Sequence, residues 1–150
     1  MEVLQKYVLN KNRTALFLYA PGISDGKSLD PARVKALTGT AFKTPAINTV
    51  QHEDWKSVYI GSYDDLTSQV LRKTAREAGV TIYCDEEVPV YANERLVTIH
   101  TAQGGEKIIS LPVDCRRVRE LYTDRLIPVM NRQFRYPFKT PDTALFELIW

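Results

Sequence analysis

Side chains able to do chemistry are sparse in this 150-residue chain, and their spacing is what limits its function. There are two histidines. His52 sits in the polar run Gln51-His52-Glu53-Asp54, and His100 falls in a stretch of alternating apolar and polar residues. Neither has a second histidine or a cysteine at ligand spacing, so the pattern offers no zinc site. Cys84 and Cys115 lie far apart and form no CxxC pair, and each reads as a buried free thiol. No GxSxG elbow, GxGxxG turn or phosphate-binding P-loop occurs. One glycine-bearing loop, Tyr19-Ala20-Pro21-Gly22-Ile23-Ser24-Asp25-Gly26, follows a predicted strand, where α/β folds place ligands. Its glycines are too widely spaced for a dinucleotide fingerprint, and it reads as a turn.

Glycosidic bond cleavage needs two carboxyl groups facing each other about 5–10 Å apart. Asp64-Asp65 and Asp85-Glu86-Glu87 are available but adjacent in sequence, so they do not converge on one reacting atom. Helix capping accounts for the first pair, and solvation at a strand exit for the second. Trp55, Tyr63, Tyr91 and Tyr136 carry rings that could stack on sugars, although core or interface roles are commoner for such residues. From the sequence we assign no catalytic, cofactor-binding or metal-ligating residue and expect no cofactor.

The elements that must position these groups change character along the chain. Thr14–Ala20 is a continuous apolar run ended by Pro21-Gly22, as expected of a strand buried on both faces. Asp30-Pro31 starts a helix over 31–38, with Val34 and Leu37 on one face and Gly39 as its stop. Ser57–Gly61 is a second strand. Asp64 or Asp65 caps a helix to Ala78, stopped by Gly79, with a stripe of Leu66, Val70, Leu71, Thr74, Ala75 and Ala78. Val80–Cys84 follows directly, so residues 57–84 predict a βαβ unit with parallel strands.

Past residue 88 the period drops to two. Val97, Ile99 and Thr101 alternate with Leu96, Thr98 and His100, and Gln103-Gly104-Gly105-Glu106 predicts a hairpin into Lys107–Leu111. Short strands over 118–122, 126–130, 133–138 and 143–149 follow, punctuated by Asp124, Asn131-Arg132 and Thr140-Pro141-Asp142. The expected fold class is α/β plus all-β. A partial parallel sheet, of the flavodoxin or amidotransferase kind, would occupy residues 1–87, and an antiparallel β-sandwich 88–150.

Composition agrees with a folded domain: 44% hydrophobic, 25% charged and 10% aromatic residues. A formal charge of +2 is too small for a nucleic-acid binder, and Arg116, Arg117 and Arg119 alternate around Val118 as on an exposed strand edge. No apolar run approaches the ~20 residues of a membrane span, and Met1–Lys6 is too polar for a signal-peptide core. As given, the chain reads as cytoplasmic; a fragment could have lost its export signal.

A set of short motifs, in order, carries a resemblance. It comprises Leu18-Tyr19-Ala20-Pro21-Gly22, Asp25-Gly26, Leu37-Thr38-Gly39, Ala78-Gly79-Val80, Ile82-Tyr83 and Val90-Tyr91-Ala92-Asn93. It continues through Ile99-His100, Gly105-Glu106-Lys107 and Leu111-Pro112 to Phe138-Lys139 and Thr143-Ala144-Leu145-Phe146. Over residues 10–150 the chain resembles the region after the catalytic barrel in large glycoside hydrolases of the β-galactosidase type, family 42 and its relatives. There an amidotransferase-like trimerisation domain precedes a small terminal β-domain. The resemblance implies that the acid/base and nucleophile glutamates would lie on an upstream (β/α)8 barrel, for which this chain has no room. No cysteine occupies a nucleophile turn, so amidotransferase activity is not implied either. The expected function is a non-catalytic accessory or assembly module of a carbohydrate-active enzyme, self-associating or packing on an upstream barrel. Alternatives are a carbohydrate-binding module, or a small enzyme using His100 or His52 with the carboxylates of residues 85–87.

Overall fold

The computed structural model describes residues 2–150. It divides into two compact units, one ending at Gly79 and the other beginning at Val80, ahead of the change in periodicity at residue 88.

The first unit runs α1 (Glu2–Tyr7), β1 (Arg13–Leu18), α2 (Ala32–Thr38), β2 (Ile47–Gln51), β3 (Trp55–Ile60), a 3₁₀ turn (Tyr63–Asp65) and α3 (Ser68–Glu77). Its sheet has the order β1-β3-β2, with β1 parallel and β2 antiparallel to β3. Ser57, Val58, Tyr59 and Ile60 are all buried, so it is β3 that is covered on both faces. The run from Thr14 was expected in that role. It forms the edge strand β1 instead, half-buried along Thr14–Leu18, because an edge strand has a neighbour on one side only. The first predicted helix holds: Asp30 Oδ1 accepts from Ala32 N at 2.9 Å, Val34 and Leu37 are buried, and Gly39 ends α2 at φ 79°.

Two expectations fail around α3. Its cap is Thr67, whose Oγ1 accepts from Val70 N at 3.2 Å, while Asp64 and Asp65 lie in the 3₁₀ turn before it. Its apolar stripe also leaves no residue fully buried, and Leu71 is 46% exposed. The predicted strand Val80–Cys84 is absent from this sheet. Both edges of β3 are already taken, by β1 and by the β2 hairpin, so the βαβ unit cannot close there. The segment instead lies along β6 (Gly105–Ser110) of the second unit: Cys84 bridges Ile109 antiparallel and Ser110 N donates to Tyr83 O at 2.8 Å. The parallel pair of the fold is thus β1–β3, connected through α2 and β2 rather than through α3.

The second unit is antiparallel throughout its paired strands. One sheet has the order β4-β5-β10-β7-β8 and comprises Val90–Ala92, Leu96–Thr101, Asp142–Ile149, Arg117–Glu120 and Arg125–Pro128; the other pairs β6 with β9 (Gln133–Phe138). Val97, Ile99 and Phe146 from the first meet Ile109, Phe134 and Phe138 from the second in one core. Phe134 stands edge-on to Phe146 with centroids 4.9 Å apart. This is the expected sandwich, and Asp124, Asn131 and Arg132 turn its corners in the left-handed region.

The predicted β5–β6 hairpin does not form, because the chain changes sheets at that turn. Gly104 N donates to Thr140 Oγ1 at 2.7 Å, and a Cβ on Gly104 would sit 2.6 Å from Phe138 O, so glycine is needed for the close crossing. Arg117 and Arg119 likewise lie on an interior strand, flanked by β10 and β8, with Val118 buried between them; they decorate a sheet face, not an edge.

Glu120 shows how the sandwich handles a buried charge. Its carboxylate accepts from Thr123 Oγ1, from Tyr122 N at 3.1 Å and from Thr123 N at 2.8 Å, tying down the β7–β8 turn. Burial pushes its pKa up, but the hydrogen bonds from Thr123 and Tyr122 outweigh it and hold the carboxyl below the ordinary glutamate value. A depressed folded pKa contributes stability above the unfolded value that is lost as pH falls through the folded one. In urea titrations Glu120→Ala should cost about 1–3 kcal/mol at neutral pH, the scale of leaving buried donors unsatisfied. The gap between wild type and Glu120→Gln should narrow below about pH 4. A gap independent of pH would show that the ionised form is not what holds the turn.

Candidate functional site

The groups singled out by residue type are spent on the fold. His52 stacks on Trp55 with centroids 3.8 Å apart, and its Nε2 lies 3.2 Å from Ser57 Oγ. That pair has the composition of a nucleophile and its base. However, Ser57 is 0% exposed and donates its hydroxyl proton to Thr38 O at 2.6 Å, so it has no proton left for His52 to accept and no path to substrate. His100 Nδ1 lies 2.7 Å from Thr143 Oγ1, its neighbour across β5 and β10.

The acidic exit is not simply solvated. Glu86 pairs with Lys107, whose side chain is 2% exposed and could not be buried without a counter-charge. A cleft beside it is lined by Asp85, Glu86, Glu87, Val88 and Thr101–Gln103; neither histidine lines it. The glycine-bearing loop closes on itself: Asp25 accepts from Lys27 N and Ser28 N and pairs with Arg33 at 2.7 Å. Those two backbone donors, with Arg33, hold the Asp25 carboxyl below its usual range. Cys84 is buried and Cys115 half-buried, neither in a disulfide among the described residues, and burial pushes the Cys115 thiol up. Among the described residues, no three His, Cys, Asp or Glu side chains gather as a metal site requires. No helix among them is long and apolar enough to cross a membrane.

A site with unspent chemistry lies at the C-terminal ends of the parallel pair. Tyr19 follows β1, Gly61 and Ser62 follow β3, and the loop 43–46 approaches from the side to enclose a cleft of about 580 Å³. Ligand pockets commonly hold about 300–1,000 Å³, and this end of parallel strands is where α/β sheets bind ligands. The walls depend on strained and close-packed backbone. Tyr19, Lys43 and Ala46 all have left-handed φ, at 59°, 58° and 63°, which is uncommon and costly outside glycine. A Cβ on Gly61 would stand 2.4 Å from Thr44 O, so only glycine admits the loop this closely.

The buried Tyr59 on β3 joins two of the strained residues. Its hydroxyl donates to Tyr19 O at 2.7 Å and accepts from Lys43 N at 3.1 Å. Tyr19 also links two further rings. Phe42 lies 5.6 Å from Tyr19, and Tyr19 5.4 Å from Tyr63. Lys43 Nζ caps one end, 5.5 Å over Phe42. Asp64 and Asp65 line the other side, and their carboxylates enter no hydrogen bond or ion pair within the described residues.

The sequence marked Tyr19, Tyr63, Asp64 and Asp65 separately, but not Lys43 or Tyr59. Lysine and tyrosine carry no local signal of convergence.

No family model and no curated protein matches the chain. Two solved structures are similar. One is a β-galactosidase from Bacillus circulans sp. alkalophilus, at TM-score 0.49 and 17% identity, covering 70% of this chain and 16% of that one. The other is a catalytic mutant of Gan42B, a GH42 β-galactosidase from G. stearothermophilus, at TM-score 0.43 and 18% identity with the same coverages. The chain therefore spans about one sixth of the length of either enzyme.

Because the Tyr59 hydroxyl joins the two strained segments, Tyr59→Phe should loosen the cleft while keeping the β3 packing. Amide exchange at Lys43 should accelerate, with about 1–3 kcal/mol lost in global stability. Unchanged exchange at Lys43 would show that the phenol does not hold the loop.

Proposed function

We propose that the chain is a non-catalytic assembly module of a carbohydrate-active enzyme, packing through its first unit on further copies of itself or on an upstream catalytic barrel. The observation that carries this reading is uncovered apolar and hydrogen-bonding surface. Val3, Leu4, Tyr7 and Val8 are exposed on and just after α1, as is Leu71 on α3. Along β1, no described strand pairs with the outer edge, which leaves alternate backbone groups without a ladder partner on that side. Exposed apolar side chains and an unpaired strand edge are both features that interaction surfaces use. The ordered motifs that resemble the post-barrel region of family 42 enzymes support the same reading, as do histidines and buried carboxylates already committed to holding strands and turns.

The sandwich supplies less support for a sheet-face sugar platform. Phe134, Phe138 and Phe146 are buried in its core. Its exposed rings Tyr91, Tyr122 and Trp150 lie on three different elements: β4, the β7–β8 turn and the residue after β10. Stacking on a sheet face would need neighbouring coplanar rings.

In the absence of a barrel, the purified chain should self-associate in a concentration-dependent way by light scattering, and Leu71→Glu should shift it towards monomer. It should turn over no aryl galactoside, arabinoside or glucoside. A strictly monomeric wild type, or turnover abolished by a single substitution in this chain, would sink the proposal.

A further inference from the structure

The cleft at the ends of β1 and β3 has lining groups that discriminate among ligand classes. Two carboxylates, Asp64 and Asp65, and one ammonium, Lys43, line the cleft, so the lining is net negative and disfavours a phosphate or other anion. The ammonium in turn works against a small cation, and two adjacent carboxylates fall short of a metal-binding set. A purely apolar ligand would strip water from both carboxylates and give nothing back. What remains is a neutral ring with an apolar face and several hydroxyls. Tyr63 is 63% exposed, with one side of its ring turned towards Tyr19, so it offers aromatic surface to the cleft. Carboxylates are strong acceptors for pairs of hydroxyl donors, and an ammonium donates to a hydroxyl or ring oxygen. Because Tyr19 and Lys43 are fixed by the Tyr59 hydroxyl, these groups are partly preorganised for a ligand.

We infer that this cleft is a binding subsite for a neutral pyranose. The C–H face of the sugar lies against Tyr63, its hydroxyls donate to Asp64 and Asp65, and Lys43 donates to a sugar oxygen. The inference stands on the cleft alone. Its readouts are independent of self-association and of turnover, so it can fail while the assembly reading holds, and the reverse.

The test is an amide-resolved NMR titration of the whole chain with methyl β-glucoside and methyl β-galactoside, using mannitol and inorganic phosphate as controls. The expected result is saturable shifts centred on Lys43, Gly61, Ser62, Tyr63 and Asp64, with a Kd in the millimolar range for at least one glycoside. Neither control should produce them. Tyr63→Ala and Asp65→Asn should each weaken binding about tenfold, one contact's worth, while Tyr63→Phe, which keeps the ring, should bind as wild type. Since Tyr63 and both aspartates enter no core cluster, these variants should keep the wild-type spectrum elsewhere. The inference is overturned if neither glycoside gives saturable shifts, if the shifts map elsewhere, if mannitol matches the glycosides, if phosphate binds instead, or if Tyr63→Ala binds normally.

Discussion

A strand has two hydrogen-bonding edges and no more, and that limit organises the first unit. Trp55–Ile60 spends one edge on the parallel β1 and the other on the antiparallel β2. With both filled, the chain emerging from α3 cannot pair beside β3, and Val80–Cys84 bridges β6 at Ile109 instead. α3 is thereby left without a crossover beside β3 to bury its stripe, and the outer side of β1 has no described partner strand.

The cleft follows from the same strand. Only the end of a parallel pair brings the residues after β1 and after β3 side by side. The Tyr59 hydroxyl then fixes the loop that closes the third wall. Left-handed backbone at Tyr19, Lys43 and Ala46 is tolerated because packing and hydrogen bonds overdetermine it. Three left-handed residues and the carboxylates of Asp64 and Asp65 thus line one cleft.

In the second unit the decisive constraint is polar satisfaction. A sandwich core built on Phe146 tolerates Glu120 and Lys107 because each is answered: one by the backbone and hydroxyl of its own turn, the other by Glu86. The acidic exit thus acquires a structural duty, and His52 and Ser57 lose a catalytic one for the same reason, since a proton already given to a carbonyl is unavailable for chemistry.

Local patterns carried much of this. The period-two alternation around Val97 and Ile99, the Asp30 and Gly39 boundaries of α2 and the turn at Asn131-Arg132 are properties of a few neighbouring residues, so they could be read directly. The strand Ile47–Gln51 could not, because its polar residues obscure an alternation that only pairing with β3 makes visible. Pairing partners are set by which edges remain free once other strands have docked, and no window of sequence contains that information. Thus the residue order determined many of the extended and helical segments and which side chains could react. Only the assembled structure decided that β1 rather than Val80–Cys84 lies parallel to β3, that Gly104 crosses between sheets, and that Lys43, Tyr63 and Asp65 share a cleft, because each depends on contacts between residues far apart in the chain.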